Sequence, residues 1–236
     1  MPVKSLSQQV LVSLHRFRSS WLANRTAQIN TLRGLLRELG VLIPVGAEKV
    51  LPQVRVLVED ADSGIPEALR PVLFEACEEI RALTERIKMA ERQIEAIAEQ
   101  TPVVARLRSI PGIGLLTGTA LVAFVGDVQR FPSGRHFASY LGLTPREYSS
   151  GLKRRLGRIS KRGDSYIRML LIHGARSVLC HAKKAKEHDR LRAWALALEQ
   201  RTRHNTAAVA LANKLARIAW AVWKHDRSYN PLPKAA

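Results

Sequence analysis

The chain has 236 residues, 46% of them apolar, and a formal charge of +18 at pH 7, which suits the core of one large or two small domains and excludes a disordered polyelectrolyte. Residues 1–100 balance 13 Lys/Arg against 13 Asp/Glu, whereas residues 101–236 carry 25 against 7, so the whole net charge lies in the C-terminal part. A field of that sign points to a polyanion, nucleic acid first; a membrane partner is not expected, because no apolar run approaches the roughly 20 residues that span a bilayer and no secretion signal is read at the start. Cys77 and Cys180 stand far apart, so a reducing compartment is expected and no disulfide framework.

Residues 5–39 read as a helix, with Leu6, Val10, Leu14, Phe17, Leu22, Ile29, Leu32, Leu36 and Leu39 at steps of mostly three and four and Gly40 as the stop. Its basic face holds Arg16, Arg18, Arg25, Arg33 and Arg37, a solvated surface first and a nucleic-acid contact second. Pro44, Gly46 and Pro52 then break the pattern, and residues 62–66 mark a second turn.

Leu73, Ala76, Ile80, Leu83, Ile87, Ala90, Ile94 and Ile97 step by three and four without a slip, the spacing of a heptad seam. Two outcomes stay open: self-association through residues 73–97, with Arg86 and Glu91 facing a parallel partner helix, or an antiparallel hairpin inside the chain. Thr101 and Pro102 end this helix or start the next.

From Val104 to Val122 an apolar helix, a Pro111-Gly112-Ile113-Gly114 turn and a second apolar helix follow one another. The pattern is that of a helix-hairpin-helix, whose free N–H groups at the second helix suit a backbone phosphate; a plain helix corner is the competing reading. Gly118 inside the second helix points to close packing. A turn at 131–135, a short helix to Leu143 and a basic loop or hairpin come next. Ser165 to Leu179 returns to helix, capped by Asp164 or Ser165; after a polar break at Lys183–Asp189 comes a helix near Trp194. A last helix over 206–223 buries Val209, Ala212, Leu215, Ala219 and Val222. Trp220 and Trp223 read as core or interface. His173, His181, His188 and His204 match no metal-ligand spacing, so no metal site is expected.

The segment Pro145 to Gly163 concentrates hydroxyls, glycines and cations: Ser149, Ser150, Gly151, Lys153, Arg154, Arg155, Arg158, Lys161 and Arg162. Such material handles phosphate. By itself it does not separate a reactive serine from a binding one, nor Ser149 from Ser150. Tyr148 is a weaker nucleophile candidate. Asp127, Glu147 and Asp164 read as a loop acid, a surface charge and a helix cap in preference to a metal triad.

Ser109-Ile110-Pro111-Gly112-Ile113-Gly114, Gly126-Asp127 with Arg130-Phe131-Pro132-Ser133, Tyr140-Leu141-Gly142-Leu143-Thr144-Pro145, Tyr148-Ser149-Ser150-Gly151 and Arg158-Ile159-Ser160-Lys161-Arg162-Gly163-Asp164 with Ile167-Arg168 together resemble the C-terminal domain of the insertion-sequence one-ten family, DEDD-type transposases guided by a bridge RNA. The likeness runs from about Ile110 to Arg176, and more loosely through residues 208–217 and the N-terminal stretches Val3-Lys4-Ser5 and Arg25-Thr26 to Gly34.

The resemblance implies that Ser150, before Gly151, attacks a DNA phosphodiester and holds a transient phosphoserine link. Gly112, Gly114, Gly151, Lys153, Arg154, Arg155, Arg158, Lys161, Arg162 and Arg168 would bind phosphate or nucleic acid. It also implies DNA, a guide RNA, further copies of the chain or a full-length transposase as partners, and a bacterial cytoplasm. The family's nuclease-like domain, with four acids that bind Mg2+, has no matching residues here; a chain incomplete alone, binding no cofactor itself, is the expectation, and a nucleic-acid-binding remnant or regulator the alternative. The predicted fold is mainly α: 1–66 a helical segment, 67–101 a coiled-coil-like helix, and 102–236 a transposase domain with the helix-hairpin-helix and the reactive-serine loop.

Overall fold

A computed structural model describes residues 4–184 and 189–231; Val3, His188 and the middle of the expected 183–189 break lie outside them. Among the described residues the chain is mainly α, with a single two-stranded sheet. It divides into two compact units, Ser13–Gln93 on one side and Met1–Val12 with Ile94–Ala236 on the other. This cuts across the three segments expected from the sequence, because the two long helices α1 (Leu6–Glu38) and α3 (Arg70–Glu99) each pass from one unit to the other.

In the Ser13–Gln93 unit α1 and α3 run antiparallel. Arg18 Nη2 pairs with Glu91 at 2.7 Å and Gln28 donates to Glu79 at 2.8 Å, while Ile29, Leu32 and Leu36 share a buried cluster with Leu73, Cys77 and Ile80. The seam on α3 is therefore buried inside the chain, and Glu91 meets Arg18 of the same chain instead of Arg86 of a partner. Cys77 and Ala98 occupy buried positions where the heptad reading put Ala76 and Ile97, both partly buried.

Helix α1 ends in a Schellman turn: Val41 N–H donates to Leu36 O and Gly40 N–H to Arg37 O, with Gly40 at φ +79°. The stretch read only as breaks contains α2 (Val50–Glu59), which buries Val50 and Val54. Pro52 is compatible with it because it stands in the first turn, where its missing N–H has no intrahelical partner in any case. Arginines tie the connections to the helices: Arg33 donates to the carbonyls of Pro44 and Gly46, and Arg70 to those of Val58, Ala61 and Ile65.

The second unit is built around α7 (Ser165–Ala182) and α9 (His204–Lys224), with α4 (Pro102–Arg108), α5 (Leu115–Ala120), α6 (Gly134–Tyr140) and α8 (Arg190–Arg201) around them. Alanines 207, 208, 212, 216 and 219 line the buried face of α9, small side chains that admit the neighbouring helices closely. Val209, expected in the core, is only partly buried and faces a groove. Trp220 packs at the edge of the core and donates its indole N–H to Phe131 O.

Between α4 and α5 lies the glycine turn, with Gly112 at φ +86°. A Cβ there would stand 2.8 Å from Gly174 O, and one on Gly174 would run into Gly112 O. Backbone meets backbone, so this turn is seated on α7. Gly118 packs on α4, beside Val104, Arg108 and Leu107. Past α5 the helix widens into one π turn, Leu121–Val125.

Candidate nucleic-acid interface

The basic segment folds as an antiparallel hairpin, β1 (Pro145–Glu147) against β2 (Leu156–Ile159), with one extra residue on β2 that makes a bulge. Its base is fastened mainly through backbone. Ser160 N–H donates to Thr144 O at 2.8 Å and Lys161 N–H to Gly142 O at 3.1 Å. Gly142 at φ +71° passes so close to the returning strand that a Cβ would lie 2.8 Å from the Arg162 and Gly163 nitrogens. Asp164 then accepts from Ile167 N–H and caps α7.

Arg168 Nη1 donates to Leu141, Gly163 and Asp164 carbonyls. That part of its guanidinium holds the junction together. Arg168 and Gly112, both expected on phosphate, thus have structural work, while Gly114 is exposed with open space where a side chain would be.

Beyond this base the hairpin projects: every residue from Pro145 to Arg158 is exposed. Ser150 and Lys153 form the last bridge, exchanging backbone bonds of 3.3 and 3.2 Å, so Gly151 and Leu152 make a two-residue turn. Gly151 takes φ +57° at the first central position, where the twist of a hairpin favours a left-handed residue. Leu152 at the apex is fully exposed.

The two serines differ. Ser149 Oγ donates to Glu147 at 2.7 Å and accepts from Arg155 N–H at 3.0 Å, so it is spent on the hairpin. Among the described residues nothing hydrogen-bonds the Ser150 hydroxyl, which stands at the tip next to the turn. Tyr148 lies across the strand, its ring over Gly157.

Lys153, Arg155, Arg158, Lys161 and Arg162 form no ion pair with a described acid, and Arg154 approaches Glu147 only at 4.0 Å. A projecting ribbon with such an excess of cation offers guanidinium and ammonium groups to several phosphates at once. The hairpin thus brings Ser150, Gly151, Lys153, Arg154, Arg155 and Arg158 onto one element, with Lys161 and Arg162 at its base.

The three acids weighed as a triad are separate. Asp127 accepts from Gln129 N–H, Glu147 from Ser149, and Asp164 caps α7. No group of three or more His, Cys, Asp or Glu side chains among the described residues is arranged to hold a metal, and these three separated acids do not fit a Mg2+ ion. His204 pairs with Glu199, and His181 with Ser177 O.

Arg135, Lys214 and Arg217 lie outside the site residues that the sequence pattern indicates, yet they line a groove beside the hairpin base. The signal was present: α9 carries a second stripe, Ala210, Asn213, Lys214, Arg217, Ile218 and Ala221, at helical spacing beside its core stripe.

Comparison with known proteins adds the lineage. The sequence pattern of the IS116/IS110/IS902 transposase family matches residues 104–190, the stretch from α4 past the hairpin to the start of α8. Across 98% of its length the chain is 42% identical to a protein of Pseudomonas aeruginosa described as a "probable family 20 transposase", of which it covers 68%. It is 37% identical over 96% of its length to the transposase of insertion sequence element IS1111A of Coxiella burnetii, and 35% identical over 91% to that of IS1328 of Yersinia enterocolitica. It spans 62% and 63% of these two relatives. With near-full-length identity at this level, and a family pattern that falls on the hairpin and the glycine turn, the chain belongs to the IS116/IS110/IS902 family of transposases.

Proposed function

We propose that this chain binds and cuts DNA in the transposition of an insertion sequence, with Ser150 as the nucleophile. The observation that supports it best is the hairpin tip, where the Ser150 hydroxyl stands unengaged among unpaired cations while Ser149 is tied into the scaffold. In the proposed step Ser150 Oγ gives up its proton and forms a bond to phosphorus; the bond from phosphorus to a sugar oxygen breaks, and that oxygen takes up a proton. The phosphoserine ester keeps the energy of the broken linkage, so rejoining to another sugar hydroxyl needs no nucleotide. Lys153, Arg154, Arg155 and Arg158 supply the positive field that the five-coordinate phosphorus requires.

The resemblance adds a guide RNA, other copies of the chain and Mg2+ held by the family's acidic domain; these belong to the same proposal. A second reading, a protein that binds nucleic acid without cutting, is favoured by one observation: no described histidine or carboxylate is hydrogen-bonded to Ser150 to take its proton. Incubation with nicked duplexes ending in the element's sequence, with Mg2+, followed by denaturing electrophoresis, separates the two. A covalent adduct lost in Ser150→Ala and kept in Ser149→Ala supports cutting. An adduct that survives Ser150→Ala overturns the assignment, and tight binding with no adduct establishes the second reading.

A further inference from the structure

Beside the hairpin, β2, the first turn of α6, Trp194 of α8 and the second stripe of α9 enclose a groove of about 1570 Å³. All of these residues lie within the larger unit. The groove has two chemistries. Leu143, Leu156, Ile159, Ile172, Val209 and Ile218 give it apolar walls, and Arg135, Arg158, Lys161, Lys214 and Arg217 stand among them. Among the described residues no Asp or Glu lines it.

Five cations gathered along one groove with no described counter-charge repel each other, and an anionic occupant removes that cost. Lys214 shows it locally. Its Nζ lies 3.8 Å from the centroid of the Trp194 ring, and burial, together with Arg190 and Arg217 nearby, pushes its pKa down.

We propose that this groove binds an unpaired nucleic-acid strand, its phosphates on the cations and its bases against the apolar walls. The proposal rests on the DNA-cutting reading above and names where the strand goes once it has left the duplex. A duplex keeps its base faces stacked inside and offers mostly phosphate, which suits the projecting hairpin. Only an unpaired strand presents base faces and phosphates together, the combination that single-strand grooves match with aromatic and apolar walls and a line of cations. A second copy of this chain would bury the apolar walls as well, but it brings no acid excess to meet these five cations: its residues 101–236 hold 7 acids against 25 cations, and its residues 1–100 balance 13 against 13.

The hairpin connects the two places. Strand β2 leaves the tip beside Lys153 and enters the groove wall from Leu156 to Ile159, which at about 3.3 Å per residue puts the groove roughly 10–20 Å along the ribbon from Ser150. A strand end released at Ser150 has a short path into it.

The experiment titrates the protein with a homothymidine oligonucleotide of about 20 residues and, separately, with a duplex of that length, following tryptophan emission and anisotropy. Trp194 and Trp220 both line the groove, so the strand is expected to quench emission in the natural protein and in Trp223→Phe but not in Trp194→Phe combined with Trp220→Phe. Lys214→Glu with Arg217→Glu is expected to weaken strand binding about tenfold or more and to leave duplex binding within about twofold. Equal losses for strand and duplex, or strand binding that leaves Trp194 and Trp220 unquenched, overturns the proposal. So does a groove variant that turns a dimer into a monomer in sedimentation without touching strand binding, since a second copy then fills the groove. The Ser150-dependent adduct is assayed on the same variants: an adduct with no groove effect removes this inference alone, and a groove effect with no adduct removes the cutting reading alone.

Discussion

His15 on α1 has no exposed surface, and burial, with Arg18 adding a like charge, lowers its pKa from 6.5 to about 4. In the unfolded chain the imidazole protonates near its ordinary 6.5; in the fold it stays neutral until the pH is far lower. Between these two values the unfolded state binds the extra proton, so stability is complete above pH 6.5 and falls as the pH drops toward 4. At about 1.36 kcal/mol per pKa unit the full loss is about 3 kcal/mol, of which about 2 kcal/mol has gone by pH 5. Urea unfolding at pH 7, 6 and 5 of the natural protein and of His15→Gln measures it, because carboxylate titrations common to both cancel in the difference. The natural protein should lose about 2 kcal/mol more than the variant between pH 7 and 5. Parallel losses in the two proteins refute the reasoning. So does an imidazole proton resonance of His15 with a midpoint near 6.5, which tests the ring directly even where the variant folds poorly.

Two further outcomes follow from the second unit. Gly174→Ala puts a methyl into Gly112 O, a backbone atom that side-chain movement cannot clear, and should cost about 3 kcal/mol or more in denaturant unfolding, whereas Gly114→Ala, in open space, should cost far less. For duplex binding, the slope of log affinity against log salt should flatten by about 0.9 for each of Lys153, Arg154 and Arg155 replaced by Ala; an unchanged slope in the triple variant shows that the ribbon touches no phosphate.

What the sequence told and withheld follows the physics of each segment. Helices α1 and α3 were legible because long amphipathic repeats leave little choice, Asp164 caps α7 through its side chain, and Pro102 takes the first position of α4. Partner choice was not legible: an apolar seam states that it will be covered, and only the fold shows that α1 covers it in the Ser13–Gln93 unit. Helix α2 was hidden by Pro52, a breaker everywhere except in a first turn. Within the site, the cationic hairpin could be read from charge and glycine, but Ser149 and Ser150 are the same residue type side by side, and only the bonds to Glu147 and Arg155 distinguish them. Lys214 and Arg217 were obscured because α9 carries two stripes and the core stripe dominates the pattern.

The fastening of the hairpin base also limits what can change in this protein. Ser160 and Lys161 are anchored by their main-chain N–H groups, and the crossing at Gly142 and Gly163 is main chain against main chain. Apart from those two glycines and Arg168, the mooring asks little of side-chain identity, and the stretch from Arg146 to Arg155 is exposed throughout. Relatives can therefore exchange side chains along the ribbon around Ser150 to suit a different nucleic-acid site while its root stays fixed, so variation should gather on the outward reach and fade abruptly at Gly142 and Gly163. An engineer retargeting the protein has the same freedom, with Ser150 and those two glycines to leave alone.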